Sequence, residues 1–241
     1  MDKLLQDLVE RLRSAFGPGL ESVVLYGSAA AGELHQHFSD LNVLCVLTRI
    51  TPTELAAAEP IFRWWRDKGN PSPLLLTKAE LSTSVDCFPV EFHDIKAQHR
   101  ILYGADLVTG LAIDDRYYRA QVEYQLRSQL LRLRQKAGGL LSDRRLLLHL
   151  MADSVSTFCI LTRHTLILSG QTPAWPKRDV IEAARVAFAL EPAPFLALLD
   201  LREEKRKERD LDPPAIFALY LSAIDRLVQV VDRISTRQDE S

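Results

Sequence analysis

The chain has 241 residues, 47% of them apolar, and its 30 basic residues are nearly balanced by 32 acidic ones. That length and apolar share suffice for one large or two modest cores, and the near-neutral charge removes any general electrostatic case for nucleic acid as the main partner. The longest apolar runs, such as 155–168, are interrupted by Arg163 and His164, so no membrane-spanning helix is expected; Cys45, Cys87 and Cys159, far apart in apolar surroundings, read as buried free thiols of a cytoplasmic protein rather than a disulfide framework.

Residues 3–15 mix acidic and apolar residues with helical spacing and read as an amphipathic helix, not a signal peptide. Strands follow at 22–26 and 41–48, a helix at 53–68, a third strand at 74–77 and a fourth at Val90 to Ile95. Between the first two strands lies the most informative stretch, LYGSAAAGELHQHFSDLNVLCVL. Gly27 lacks a Cβ, so the backbone can turn sharply against a ligand, and Ser28 is a favoured helix N-cap with a hydroxyl to offer. A polyphosphate can rest on the N–H groups of such a turn, where the helix dipole favours negative charge. Asp40 and Asn42 lie two apart, so on a strand their side chains share a face. Two oxygen ligands there can hold a hard cation such as Mg²⁺, which also takes oxygens from substrate phosphates.

On Gly27, Ser28, Asp40 and the apolar runs around them, residues 20–100 resemble the nucleotidyltransferase superfamily that includes the aminoglycoside and minimal nucleotidyltransferases. That family's pattern is an apolar residue, Gly, Gly or Ser, a spacer, and then two acids flanking an apolar residue, with a third acid from a later strand. Here the second acid position holds Asn42, which lends a carbonyl oxygen but no charge, and the motif is a degenerate Asp-x-Asn. The third acid is Glu91 in FPVEF, with Asp94 as the alternative. The resemblance implies an NTP substrate, Gly27 and Ser28 as nucleotide-binding residues, Asp40 and Glu91 as catalytic acids, and Mg²⁺ held by Asp40, Asn42 and Glu91.

Within FPVEFHDIKAQHRILYG, a strand places Glu91 and His93 on one face and Asp94 on the other; His93 and His99 are read as structural histidines. Trp64, Trp65 and Trp175 are candidate stacking platforms, with at least one of the tryptophan pair in the core.

After Gly104 the texture changes. Helical periodicity runs through 114–137, 143–169, 177–190, 193–209 and 213–235, separated by Gly and Pro breaks. One or more of Arg127, Arg132 and Arg134 could meet phosphates. Arg144 and His149 match the Arg-x4-His spacing of HEPN ribonucleases, whose helical domains accompany minimal nucleotidyltransferases, but such spacing is common in arginine-rich helices. Residues 202–210, REEKRKERD, read as a solvated helix face with Glu203 four residues before Lys207.

The expected fold is α+β: a nucleotidyltransferase-like mixed sheet with helices over residues 1–108, then a helical bundle over 109–241. The expected function is transfer of a nucleoside monophosphate from an NTP to a hydroxyl of a small molecule or protein, with Mg²⁺. The alternatives are an inactive nucleotidyltransferase-fold protein that senses nucleotide or binds protein, and a component of a HEPN/nucleotidyltransferase toxin-antitoxin-like system. Partners are a nucleotide and an acceptor; neither membrane nor nucleic acid is expected.

Overall fold

The computed structural model describes residues 1–30 and 41–234. The chain forms two compact units, residues 1–116 and residues from 117 onward. Among the described residues there are nine α-helices and one four-stranded sheet, an α+β fold with a helical C-terminal part.

The first unit holds α1 (Asp2–Phe16), β1 (Leu20–Tyr26), β2 (Asn42–Leu47), α2 (Pro52–Asp67), β3 (Leu74–Thr77), α3 (Lys78–Thr83), α4 (Pro89–Ala97) and β4 (His99–Gly104). The sheet order is β3-β2-β1-β4. β1 pairs antiparallel with β2 and β4, and β2 pairs parallel with β3. β1 and β2 are apolar on both faces because both faces are covered. On one face Leu5, Leu8 and Leu12 of α1 and Ile61 and Trp65 of α2 pack against Val23, Leu25, Val43, Cys45 and Leu47. On the other, Leu81 of α3, Phe92 and Ile95 of α4 and Val108 pack against Val24, Leu44 and Val46. Alternate residues of each strand thus serve opposite cores.

Two sequence expectations change here. Residues 90–95 are helical: Pro89 occupies the first turn, where its missing N–H costs nothing, and Phe92 and Ile95, three apart, enter the core together. The fourth strand is His99–Gly104, and it pairs with β1.

The second unit holds α5 (Tyr118–Ala137), α6 (Arg144–Leu168), α7 (Lys177–Phe188), α8 (Ala193–Arg202) and α9 (Pro213–Arg233). α6 is the hub and packs on the other four. Tyr220 of α9 sits edge-on to both Phe158 of α6 and Phe195 of α8, a favoured aromatic geometry. By length and composition alone α6 and α9 would suffice to cross a membrane, a test that the core helix of a soluble protein also passes. In α6 that apolarity follows from its place, since a helix surrounded by neighbours is apolar around much of its circumference; residues from Leu147 to Leu166 fill the bundle core.

The helix expected over 193–209 ends at Arg202. Glu203 caps it and pairs with Arg178 at 2.7 Å and Lys205 at 2.6 Å, not with Lys207. Glu204 then takes a left-handed φ of 56° and turns the chain away.

Candidate nucleotide site at the end of the first strand

β1 delivers its last residue, Tyr26, between Asn42 of β2 and His99 of β4. The chain must turn immediately afterwards, and it does so at Gly27, whose φ of 80° is open to glycine at little cost. The Gly27 N–H donates to the Gln98 carbonyl at 3.1 Å, and the Ala30 N–H donates to the Gly27 carbonyl at 3.0 Å. Gly27 therefore supplies the shape of the turn, while its own N–H is committed to the backbone before β4. Among the described residues, none accepts from or donates to the half-buried Ser28 hydroxyl. The helix expected after Ser28 falls on residues 31–40, outside the described residues, as does Asp40.

Asn42 opens β2 with its side chain against this turn: a Cβ built on Gly27 would lie 3.5 Å from Asn42 Nδ2. The segment entering β2 is held by Asn70, which follows α2 and is only 9% exposed. The Leu41 N–H donates to Asn70 Oδ1 at 3.2 Å, across 29 residues of sequence.

Glu91 lies in the first turn of α4, not on a strand, and is exposed. Burial first, and then the negative charge of Glu91, raise the Tyr26 phenol above its usual pKa. Neither β3 nor β4 carries an acid, so the strand-borne third acid of the resemblance is not on these strands. The helix also reverses the expected pairing of side chains: Glu91 and Asp94, three apart, are neighbours on one side of α4, and His93 is turned away from them.

His93 Nε2 meets Asp115 Oδ1 at 2.6 Å, and Lys96 donates to the Leu111 carbonyl at 2.6 Å, so the two tie α4 to the segment after β4. His99 lies 3.3 Å from the Lys96 carbonyl and 3.5 Å from the Thr109 hydroxyl. That hydroxyl and the Thr109 and Val108 N–H groups hold the Asp106 carboxyl down at about 2. Both histidines are joined to this loop.

The structure thus brings Gly27, Ser28 and Asn42 to one turn and sets Glu91 near it. Among the described residues no three His, Cys, Asp or Glu side chains gather as a metal cluster. Asn70, Tyr26 and the Gln98 carbonyl escaped sequence reasoning, the first because Gly69-Asn70-Pro71 reads only as a turn.

Several of the other candidates are engaged elsewhere. Trp65 is fully buried, Trp64 carries the Arg11 guanidinium 4.4 Å from its ring centroid, and Trp175 carries Arg163 at 3.8 Å. Arg127 pairs with Glu123 and Asp232, and Arg134 with Asp225. Arg144 pairs with Asp212 at 3.0 Å and His149 with Glu208 at 3.0 Å, all four exposed. Cys45 and Cys159 are buried as expected, but Cys87, in the turn before α4, is exposed.

The likeness of the chain to a solved structure shows a nucleotidyltransferase-like fold, a mixed sheet followed by a helical unit. The chain is similar over 96% of its length, and over 99% of the other chain, to the crystal structure of spectinomycin adenyltransferase AAD(9) from Enterococcus faecialis with ATP and spectinomycin, at TM-score 0.62 and 14% identity. Weaker likenesses cover 42% of this chain and 74% of a toxin-antitoxin structure with AMP-PNP (18% identity, TM-score 0.30). They also cover 44% of this chain and 74% of a tri-AMPylated Shewanella oneidensis HEPN toxin in complex with MNT antitoxin (16% identity, TM-score 0.28). No protein-family model matches the sequence, and no curated protein matches it.

Proposed function

We propose that the protein is a cytoplasmic nucleotidyltransferase that moves a nucleoside monophosphate, AMP in the first instance, from an NTP to a hydroxyl of a small molecule. The observation that carries this reading is the junction of Gly27, Ser28 and Asn42 at the end of β1. The likeness to a spectinomycin adenyltransferase with ATP and spectinomycin spans both units, which favours a small-molecule acceptor over a protein and ATP over other nucleotides.

In this reading the Ser28 hydroxyl and the turn shaped by Gly27 hold the β- and γ-phosphates. The acceptor oxygen forms a bond to the α-phosphorus, the bond from that phosphorus to the bridging oxygen breaks, pyrophosphate leaves, and the acceptor's proton passes to Asp40 or Glu91. Asn42 and Glu91 offer oxygen donors of the kind a hard cation takes, and Asp40, Asn42 and Glu91 would hold Mg²⁺. When bound, the cation neutralises charge on the triphosphate and on the departing pyrophosphate. The chain's share of the work is positioning and electrostatic stabilisation.

A second reading is favoured by Asn42 itself. With an amide where a carboxylate would stand, the site has one negative charge fewer for a cation, which suits a protein that binds nucleotide without turnover. Pyrophosphate release from ATP over a panel of hydroxylated small molecules, with Asn42→Asp beside the unaltered protein, separates the two. Acceptor-dependent release by the unaltered protein is the result expected of the transferase; release by Asn42→Asp alone would assign the unaltered protein to nucleotide binding.

A further inference from the structure

We propose that Asn70 is a positioning residue of the nucleotide site, setting the start of β2 through the peptide N–H of Leu41. This inference rests on the transferase reading, because it concerns the Asp-x-Asn segment.

Leu41 stands between Asp40 and Asn42, and its N–H belongs to the peptide bond that follows Asp40. At the mouth of a strand such a group has two ordinary partners, the neighbouring strand or water. Here neither is used. The β1 ladder reaches only as far as Tyr26 opposite Asn42, because the chain turns away at Gly27. β3 starts further along, opposite Leu44. Leu41 is itself 6% exposed, so its N–H is shielded from solvent and needs a partner within the protein. Asn70 Oδ1 supplies it at 3.2 Å.

Asn70 is in turn held. Its own N–H donates to the Trp65 carbonyl at 3.4 Å, in the last turn of α2, and Trp65 is fully buried in the core beneath the sheet. Gly69, with φ of 83°, reverses the chain so that the next side chain points back toward the sheet, and Pro71 restricts Asn70 to an extended backbone. The buried Trp65 in the last turn of α2 is therefore linked through one amide to the start of β2, where Asn42 stands. Partners that orient metal-binding residues in this way typically contribute on the order of 10- to 100-fold to metal affinity or activity.

Asn70→Ala and the milder Asn70→Ser withdraw the oxygen, while Asn70→Asp keeps an acceptor in place. The probe is ATP titrated into the full chain by calorimetry at a series of Mg²⁺ concentrations. With Asn70→Ala or Asn70→Ser the Mg²⁺ concentration needed for half-maximal ATP binding rises on the order of tenfold, the Leu41 amide loses its hydrogen-exchange protection, and Asn70→Asp restores both. A purely structural Asn70 gives a different outcome: lower thermal stability with the Mg²⁺ dependence unchanged, which overturns the proposal. Asp40→Ala is run alongside. If it leaves Mg²⁺-dependent ATP binding intact, the transferase reading itself fails; if it abolishes binding while the Asn70 variants bind like the unaltered protein, only the role of Asn70 fails.

Discussion

Gly27 and Gly104 have nearly the same backbone conformation, φ of 80° and 79°, but very different surroundings, and replacing each by alanine separates backbone strain from collision. Among the described residues, the Cβ added at Gly27 meets only Asn42 Nδ2, at 3.5 Å, an ordinary van der Waals contact. The cost of Gly27→Ala is then that of a left-handed non-glycine residue, about 1–3 kcal/mol. At Gly104 the Cβ would stand 2.0 Å from the Glu21 carbonyl oxygen and 3.1 Å from Ser22 Cα, both in the backbone of β1. Relief requires parting β4 from β1, so Gly104→Ala carries the same backbone term plus a collision that cannot be absorbed by a rotamer change, and its total exceeds about 4 kcal/mol. Urea denaturation followed by tryptophan fluorescence measures both, with Trp175→Phe in the background so that only Trp64 and Trp65 of the first unit report. Equal costs for the two variants would refute the reasoning. A Gly27→Ala protein that fails to fold would refute it too.

The Asp106 carboxyl is held down at about 2 by the Thr109 hydroxyl, then by the Thr109 and Val108 N–H groups. Because the folded value is depressed, its stabilising contribution is present above the unfolded value of about 3.9 and is lost as pH falls through about 2. Thr109→Val should raise the Asp106 pKa toward the ordinary range in a carboxyl NMR titration; an unchanged value would contradict the assignment. Burial pushes the Cys45 and Cys159 thiols up to about 12, whereas Cys87 is exposed, its thiol raised chiefly by a hydrogen bond with Asp86. A thiol reagent should label one cysteine in the native protein and all three after denaturation, and Cys87→Ser should abolish the native reaction. Native labelling of Cys45 or Cys159 would show that the cores open readily.

Local signals carried much of the fold. Glycine-serine after an apolar run marked the end of β1, and proline and glycine breaks marked the bundle helices. The sequence reading failed where a short segment fits two periods. In PVEFHDI, Val90 and Phe92 suit a strand alternation whereas Phe92 and Ile95, three apart, suit a helix, and the decision belongs to the core that receives Phe92 and Ile95 together. The difference matters at the site, because a strand separates Glu91 from Asp94 and a helix makes them neighbours. Helical spacing runs through 193–209 but α8 ends at Arg202, and the ion pairs of Glu203 with Arg178 and Lys205 at that end cannot be read from order along the chain. Asn70 is silent in the sequence for a related reason: its hydrogen bond to Leu41 spans 29 residues and leaves no periodic trace.

The central claim, a metal-dependent nucleotide site at the end of β1, is tested most directly by titration calorimetry of the full chain with ATP, with and without Mg²⁺, on the unaltered protein and on Asp40→Ala. The account predicts binding that requires Mg²⁺ and disappears in Asp40→Ala. Absence of binding by the unaltered protein to ATP, GTP, CTP and UTP alike, or binding that Asp40→Ala leaves intact, would contradict it.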